Sequence, residues 1–145
     1  MEEGRPPPHS LEAERAVLGA LMLDSVGVLH VAENLRAEDF YRTEHGRLYQ
    51  LLMDMSERGE PTEMVAVVER IAKSGEIEEH GGIQYISALP ESMASIENIS
   101  YYAQIIRERA IVRRLLHGLQ EVSARALGGG DELPELLDFA ESSIF

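Results

Sequence analysis

Four carboxylates recur at every third position near the end of the chain, where residue type and spacing could support metal chemistry: Glu132, Glu135, Asp138 and Glu141. Helix-borne carboxylates can hold magnesium or manganese, as in all-α metal-dependent nucleotide hydrolases. An α-helix turns about 100° per residue, so a step of three drifts by about 60° and only neighbouring carboxylates share a face. We therefore interpret the row as a solvated face or as partners for arginines, and keep the hydrolase as the less favoured alternative.

No other catalytic or nucleotide-binding motif is present in the sequence. A phosphate-binding loop needs Gly-Lys-Ser/Thr, and the single lysine, Lys73, follows alanine. The five histidines are scattered and form no pair at metal-ligand spacing on a helix. We predict no catalytic, cofactor-binding or metal-binding residue in this chain, which would then not be an enzyme by itself.

The only basic concentration comprises five arginines: Arg107, Arg109, Arg113, Arg114 and Arg125. Two tyrosines precede it, so base stacking with phosphate pairing is one reading. The net charge of −13 disfavours direct nucleic-acid binding, which depends on neutralising phosphates. We interpret Tyr102 as a packing residue on an apolar stripe. Arg109 and Arg113 are predicted to pair with carboxylates between helices or subunits.

Helical periodicity predicts an all-α fold that begins with an extended arm, residues 1–9, containing three consecutive prolines. A compact head, residues 10–96, should hold about five short helices. Their predicted starts are the N-cap Ser10, Val26, the cap Thr43, Pro61–Thr62 and Ile83. Their predicted ends are Asp24, Leu35, Gly59, Gly75 and Pro90. The apolar positions of the second helix are Val26, Leu29, Val31 and Leu35. Cysteine is absent, and no apolar run approaches the ~18–20 residues that span a membrane.

A long helical hairpin should follow the head: a helix over 97–127, a glycine turn at 128–130, and a second helix over 131–145. A helix of about 30 residues reaches on the order of 45 Å, more than the ~26 Å diameter of a ~100-residue head, so we expect it to project. The first helix of the hairpin, residues 97–127, has a net charge of +2, and residues 128–145 have a net charge of −5. These opposite charges favour antiparallel contact between the two helices. The chain stops at Ile144–Phe145 without a polar cap, which suggests a cut through a longer protein.

The hairpin has more apolar surface than two helices can bury against each other. We expect two hairpins to pack as a four-helix bundle, with two-fold symmetry between like subunits. In the alternative, the head covers this surface. The predicted oligomer or partner interface comprises Tyr102, Arg109, Ile111, Arg113, Leu115, Leu119, Val122, Leu133, Leu137 and Ile144.

Along essentially its whole length, the chain resembles the N-terminal domain of DnaB-type bacterial replicative DNA helicases in several short sequence motifs that occur in the same order. They are the stretch from Pro8 to Leu21, Asp39-Phe40-Tyr41 followed by His45, Gly81 to Ile86, Asn98 to Leu115, and Leu136 to Phe145. The chain departs from the family's usual sequence at Thr62–Ala66 and at Ser92–Ser95.

The resemblance implies hairpins that pair into dimers and three dimers that form a collar on a hexameric ring. It places an ATP- and Mg-dependent RecA-like motor, absent here, beyond Phe145; that motor would contact DNA and unwind it 5′ to 3′. Expected partners are the C-terminal helicase-binding domain of primase and a helicase loader, in the bacterial cytoplasm at the replisome, with no membrane contact. An unrelated all-α oligomeric adaptor is the alternative, which would lack a downstream Gly-Lys-Ser/Thr.

Overall fold

The computed structural model describes residues 4–92 and 98–144. Within these ranges the chain is helical and contains no strand, which confirms the predicted all-α class. Most of the departure at 92–95, the predicted helix start at Glu97 and the predicted helix end at Phe145 lie outside the described residues.

Seven α-helices make up the described chain, with short 3-10 turns between several of them. They are α1 (Leu11–Leu23), α2 (Val28–Val31), α3 (Thr43–Glu57), α4 (Met64–Ser74), α5 (Ile83–Ala88), α6 (Ile99–Gly128) and α7 (Leu133–Ile144). The chain divides into two compact units. The head unit runs from His9 to Arg109, and the hairpin unit consists of the residues before His9 and after Arg109.

The core of the head unit is built around α1. Ser10 caps this helix as predicted, because its Oγ accepts a hydrogen bond from the Ala13 amide at 3.2 Å. Seven consecutive residues of α1, from Ala16 to Met22, are buried, so the helix is enclosed on every side rather than on one face. Buried residues of α3, α4 and the first turns of α6 complete the same apolar cluster.

The second predicted helix is present, and two of its four predicted apolar positions, Val31 and Leu35, are buried as expected, whereas the other two are not. Val26 and Leu29 are 54% and 80% exposed, whereas Val28 is buried. The Asp24 carboxylate accepts from the Val26 amide at 3.0 Å and begins a 3-10 turn before α2. Since a 3-10 turn has about 3.0 residues rather than 3.6, the helical spacing predicted across this segment wrongly assigned Val26 and Leu29 to the interior.

Two helix starts also differ from the prediction. Thr43 is the first residue of α3 rather than its cap, and Arg42 occupies the cap position without a side-chain capping hydrogen bond. Helix α4 begins at Met64, not at Thr62. The Thr62 hydroxyl donates to the Leu21 carbonyl at 2.7 Å, so this buried residue serves a contact with α1 before the helix starts.

A buried polar network joins three distant parts of the head unit. The Glu14 carboxylate on α1 accepts from the Tyr41 amide at 2.7 Å and lies 2.7 Å from Nδ1 of His45. Nε2 of His45 lies 2.5 Å from the Tyr85 hydroxyl of α5. Because a carboxylate can only accept, Nδ1 donates to Glu14, and Nε2 shares the second hydrogen bond of the ring with the tyrosine hydroxyl. These bonds satisfy Glu14, which is 1% exposed.

Candidate functional site on the helical hairpin

The hairpin is held together by a close approach of α6 and α7 at Gly118. This glycine is buried, and a Cβ atom placed on it would lie 2.9 Å from the main-chain oxygen of Ser143. The missing side chain therefore lets the two helix backbones meet near the C-terminal end of α7.

The turn at the other end of the hairpin is fixed by an ion pair and an aromatic contact. Gly129 has a φ of +67°, a conformation that ends α6 and suits glycine. Nε and Nη2 of Arg125 donate to the two carboxylate oxygens of Asp131 at 2.8 and 3.0 Å. These bonds lower the pKa of Asp131 below its usual value. The same guanidinium lies 3.9 Å from the centre of the Phe139 ring on α7.

An apolar stripe remains exposed on this hairpin. It comprises Ile111, Leu115 and Leu119 of α6 together with Leu133, Leu137 and Ile144 of α7, and these side chains are between 37% and 65% exposed. The three positions on α6 repeat every four residues and so span about 80° of the helix, and those on α7 fall within about 40°. The apolar stripe, as these six residues are called below, is the principal candidate site.

Four other predicted interface residues have different surroundings. Val122 is half-buried. Tyr102 is half-buried against the core of the head unit, in line with its interpretation as a packing residue. Arg109 donates to the main-chain oxygen of His9 at 3.1 Å, within the head unit. Arg113 donates to that of Pro8 at 2.8 Å, within the hairpin unit.

Sequence reasoning missed the last two contacts, which are made with partners about a hundred residues away in the chain. A weak signal existed in the arm itself. Proline has no N–H, so a run of prolines offers only carbonyl acceptors, for which arginine is a suitable donor.

The acidic row does not form a metal site in the described part of the chain. Glu132, Glu135, Asp138 and Glu141 are all exposed, as expected for a solvated face. Among residues 4–92 and 98–144, no three His, Asp or Glu side chains gather as metal ligands would. Within the same ranges, no helix combines the length and apolarity needed to cross a membrane.

Comparison with known proteins gives a consistent result along the chain. A family model described as the DnaB-like helicase N-terminal domain matches residues 6–108. The replicative DNA helicase DnaB of Geobacillus stearothermophilus is 38% identical over 140 residues, which cover 97% of this chain and 31% of that protein. The replicative DNA helicase DnaC of Bacillus subtilis (strain 168) is 37% identical over the same coverage. The chain thus spans about a third of the length of these relatives.

Two solved structures resemble this one. The crystal structure of the N-terminal domain of DnaB helicase from Mycobacterium tuberculosis matches with a TM-score of 0.89 and 34% identity, covering 96% of this chain and 98% of that one. A structure describing a DnaB-like replicative helicase and its interactions with primase matches with a TM-score of 0.75. It is 20% identical and covers 93% of this chain and 31% of that one, so it supports the fold alone.

Proposed function

Because this chain belongs to the family of DnaB-like helicase N-terminal domains, we propose that it is the collar domain of a replicative DNA helicase. Its proposed work is assembly of the helicase subunits and docking of primase, with no chemistry of its own. The sequence contains no Gly-Lys-Ser/Thr phosphate-binding loop. ATP and magnesium would serve a RecA-like motor elsewhere in the parent protein.

The observation that carries the proposal is the apolar stripe on a hairpin whose internal contacts are already made. Full burial of a leucine or isoleucine side chain stabilises an association by roughly 1.5–3 kcal/mol. The stripe side chains are 37–65% exposed, so roughly half of that term remains available at each position. Two copies contribute twelve such side chains, which is ample for a four-helix bundle formed by two hairpins.

The proposed assembly is a dimer through the apolar stripes, with three dimers forming the collar of a hexameric ring. A closed ring of like subunits needs a second kind of contact between dimers. The parent protein would unwind DNA 5′ to 3′ in the bacterial cytoplasm at the replisome, and DNA would be contacted mainly by the motor. The relatives named as replicative DNA helicases support this placement.

Primase is the proposed partner of the assembled collar. We propose it because this chain belongs to the family of DnaB-like helicase N-terminal domains, and a DnaB-like replicative helicase of the same fold is described with its interactions with primase. We place the C-terminal helicase-binding domain of primase on the collar, and a helicase loader as a further partner. Family membership sets aside the unrelated adaptor, and nothing in the acidic row favours the nucleotide hydrolase.

Molar mass measured by light scattering over a concentration series tests the stripe directly. The unaltered chain should form dimers or larger species. The double variant Leu115→Asp, Leu119→Asp should be a monomer with unchanged helicity by circular dichroism. Pairing would remove each aspartate charge from water, and this cost opposes association.

The control is Leu127→Asp, which places one aspartate on an 86% exposed leucine of α6 outside the apolar stripe and is compared with Leu119→Asp alone as well as with the double variant. It should associate like the unaltered chain. An unchanged mass for the double variant, or an equal loss in the control, would contradict assembly through the stripe.

A further inference from the structure

The proline-rich arm and one face of α6 together line a groove in the hairpin unit. Residues Arg5 to Pro8 form one side. Helix residues from Arg113 to Gln120, with Leu116 between them, form the other. Both sides belong to the same compact unit, although they are more than a hundred residues apart in sequence.

A hydrogen bond ties the arm to this face. Nη1 of Arg113 donates to the carbonyl oxygen of Pro8 at 2.8 Å. The proline run restricts the unfolded arm to few conformations, so less chain entropy is lost when the arm lies against the helix. The prolines also lack N–H groups, so an arm held in this way leaves no main-chain donor unpaired at these positions.

The arm lies beside the leucine that would otherwise widen the apolar stripe. Leu116 is half-buried, whereas Leu115 and Leu119 are 42% and 44% exposed. Leu116 lies about 100° around the helix from Leu115, at the far edge of the stripe and on the side of the groove. The exposed apolar arc of α6 runs from Ile111 over about 100° to Val112, which is 40% exposed, and uncovering Leu116 would widen it to about 140°. Such a broad arc permits more than one pairing geometry, whereas a narrower one specifies a single partner arrangement.

The geometry points to a strap: the segment Arg5–Pro8 closes the Leu116 face of α6 to a second copy of this chain, so that hairpins associate through the apolar stripe alone. This inference rests on the proposed assembly role of the stripe. It adds that the arm determines which face of the helix is offered, and that its loss permits association beyond the normal pair.

Cysteine labelling tests the strap, because the chain contains no native cysteine. Leu116→Cys is placed in the Leu115→Asp, Leu119→Asp background, where pairing through the stripe cannot protect the thiol. Removing the first eight residues should raise its rate of reaction with a maleimide, because the arm shields part of a side chain that is half-buried beside it. Arg113→Gln with the arm intact should give an intermediate rate.

Leu127→Cys in the same background is the control, and its rate should not respond to the arm. Equal rates for Cys at position 116 with and without the arm would overturn the strap, whatever the assembly experiment shows. Circular dichroism verifies that each variant is folded, and the Arg113→Gln variant retains the complete chain.

The consequence for assembly is measured with the native leucines restored at positions 115 and 119. Light scattering of the chain without its first eight residues should show species larger than those of the complete chain at equal concentration. An identical molar mass for the two proteins would overturn the claim that the arm limits association.

Discussion

Replacing Gly118 by alanine should loosen the hairpin, although alanine is the better helix former. The added Cβ would lie 2.9 Å from the oxygen, 3.6 Å from the carbonyl carbon and 3.7 Å from the Cβ of Ser143. The oxygen belongs to the main chain and cannot rotate away, so α7 must move. Overfilling a packed contact typically costs about 1–3 kcal/mol, while alanine gains roughly 0.8–1 kcal/mol over glycine inside a helix. The net expected loss is about 0–2 kcal/mol.

Gly128→Ala is the matched control on the same helix. Gly128 is the last residue of α6, its φ is not positive, and no atom lies within 4 Å of the position its Cβ would occupy. Alanine there should stabilise the helix by about 0.4–1 kcal/mol, chiefly by restricting the unfolded chain. The difference between the two variants therefore isolates the contact between α6 and α7, at roughly 1–3 kcal/mol.

Hydrogen exchange of the α7 amides, read by mass spectrometry on peptides from residues 133–144, measures this difference locally. Exchange should be faster in Gly118→Ala than in Gly128→Ala by roughly 5- to 150-fold, since each 1.4 kcal/mol corresponds to a factor of ten. Equal exchange in the two variants would mean that the close approach at Gly118 does not hold the hairpin closed, and the reasoning would fail.

Two further predictions concern single hydrogen bonds. The buried Tyr49 hydroxyl donates to the Leu35 carbonyl at 2.8 Å, and burial raises the pKa of Tyr49 so that it stays protonated. Tyr49→Phe should lower the free energy of unfolding, measured by urea denaturation, by about 1–3 kcal/mol, because it leaves that carbonyl unpaired. The control Tyr101→Phe, at a 65% exposed position, should change it by less than about 0.5 kcal/mol. Equal effects would contradict this reasoning. Arg125 lowers the pKa of Asp131 below its usual 3.8 in the folded protein. The ion pair therefore stabilises the turn fully above pH 3.8, and this stabilisation is lost as the pH falls through the lower pKa of the folded state. Acid should lower the protection factors of the α7 amides, which correct for the pH dependence of intrinsic exchange, in the unaltered protein but not in Asp131→Asn; matching acid profiles would refute the role of the pair.

Local signals predicted helix positions well where local bonds decide them. Ser10 is both the predicted and the observed cap of α1, and Gly75 follows α4 directly as its predicted stop. The start of α4 was wrong because Thr62 bonds to the Leu21 carbonyl, 41 residues away in the chain. Caps and stops act within one turn of helix, whereas such a contact exists only after the chain has folded.

The candidate site divides in the same way. Leucines and isoleucines at helical spacing predicted an apolar surface, and the structure leaves Ile111, Leu115 and Leu119 exposed on α6. The partners of Arg109 and Arg113 could not be predicted, since both are main-chain carbonyls, which every residue carries. Charge suggests carboxylate partners for these arginines, which stays a prediction, and their contacts in the structure include neutral main-chain oxygens of His9 and Pro8.

Three of the sequence motifs that carry the family resemblance contact one another inside the head unit. Their residues Glu14, Tyr41 (through its amide), His45 and Tyr85 form one buried hydrogen-bond network. A polar group buried without a partner costs about 1–3 kcal/mol, so these residue types depend on one another and together specify the head fold. Of the six stripe residues, Ile111, Leu115, Leu137 and Ile144 lie within such motifs, and Leu119 and Leu133 lie outside them. The resemblance is therefore strong evidence for the fold, but it does not by itself say which of these side chains pair. Which side chains pair depends on their exposure and on the geometry of the helices. Changing Leu119 to aspartate should therefore prevent two copies from associating, whereas the same change at Leu127 should not.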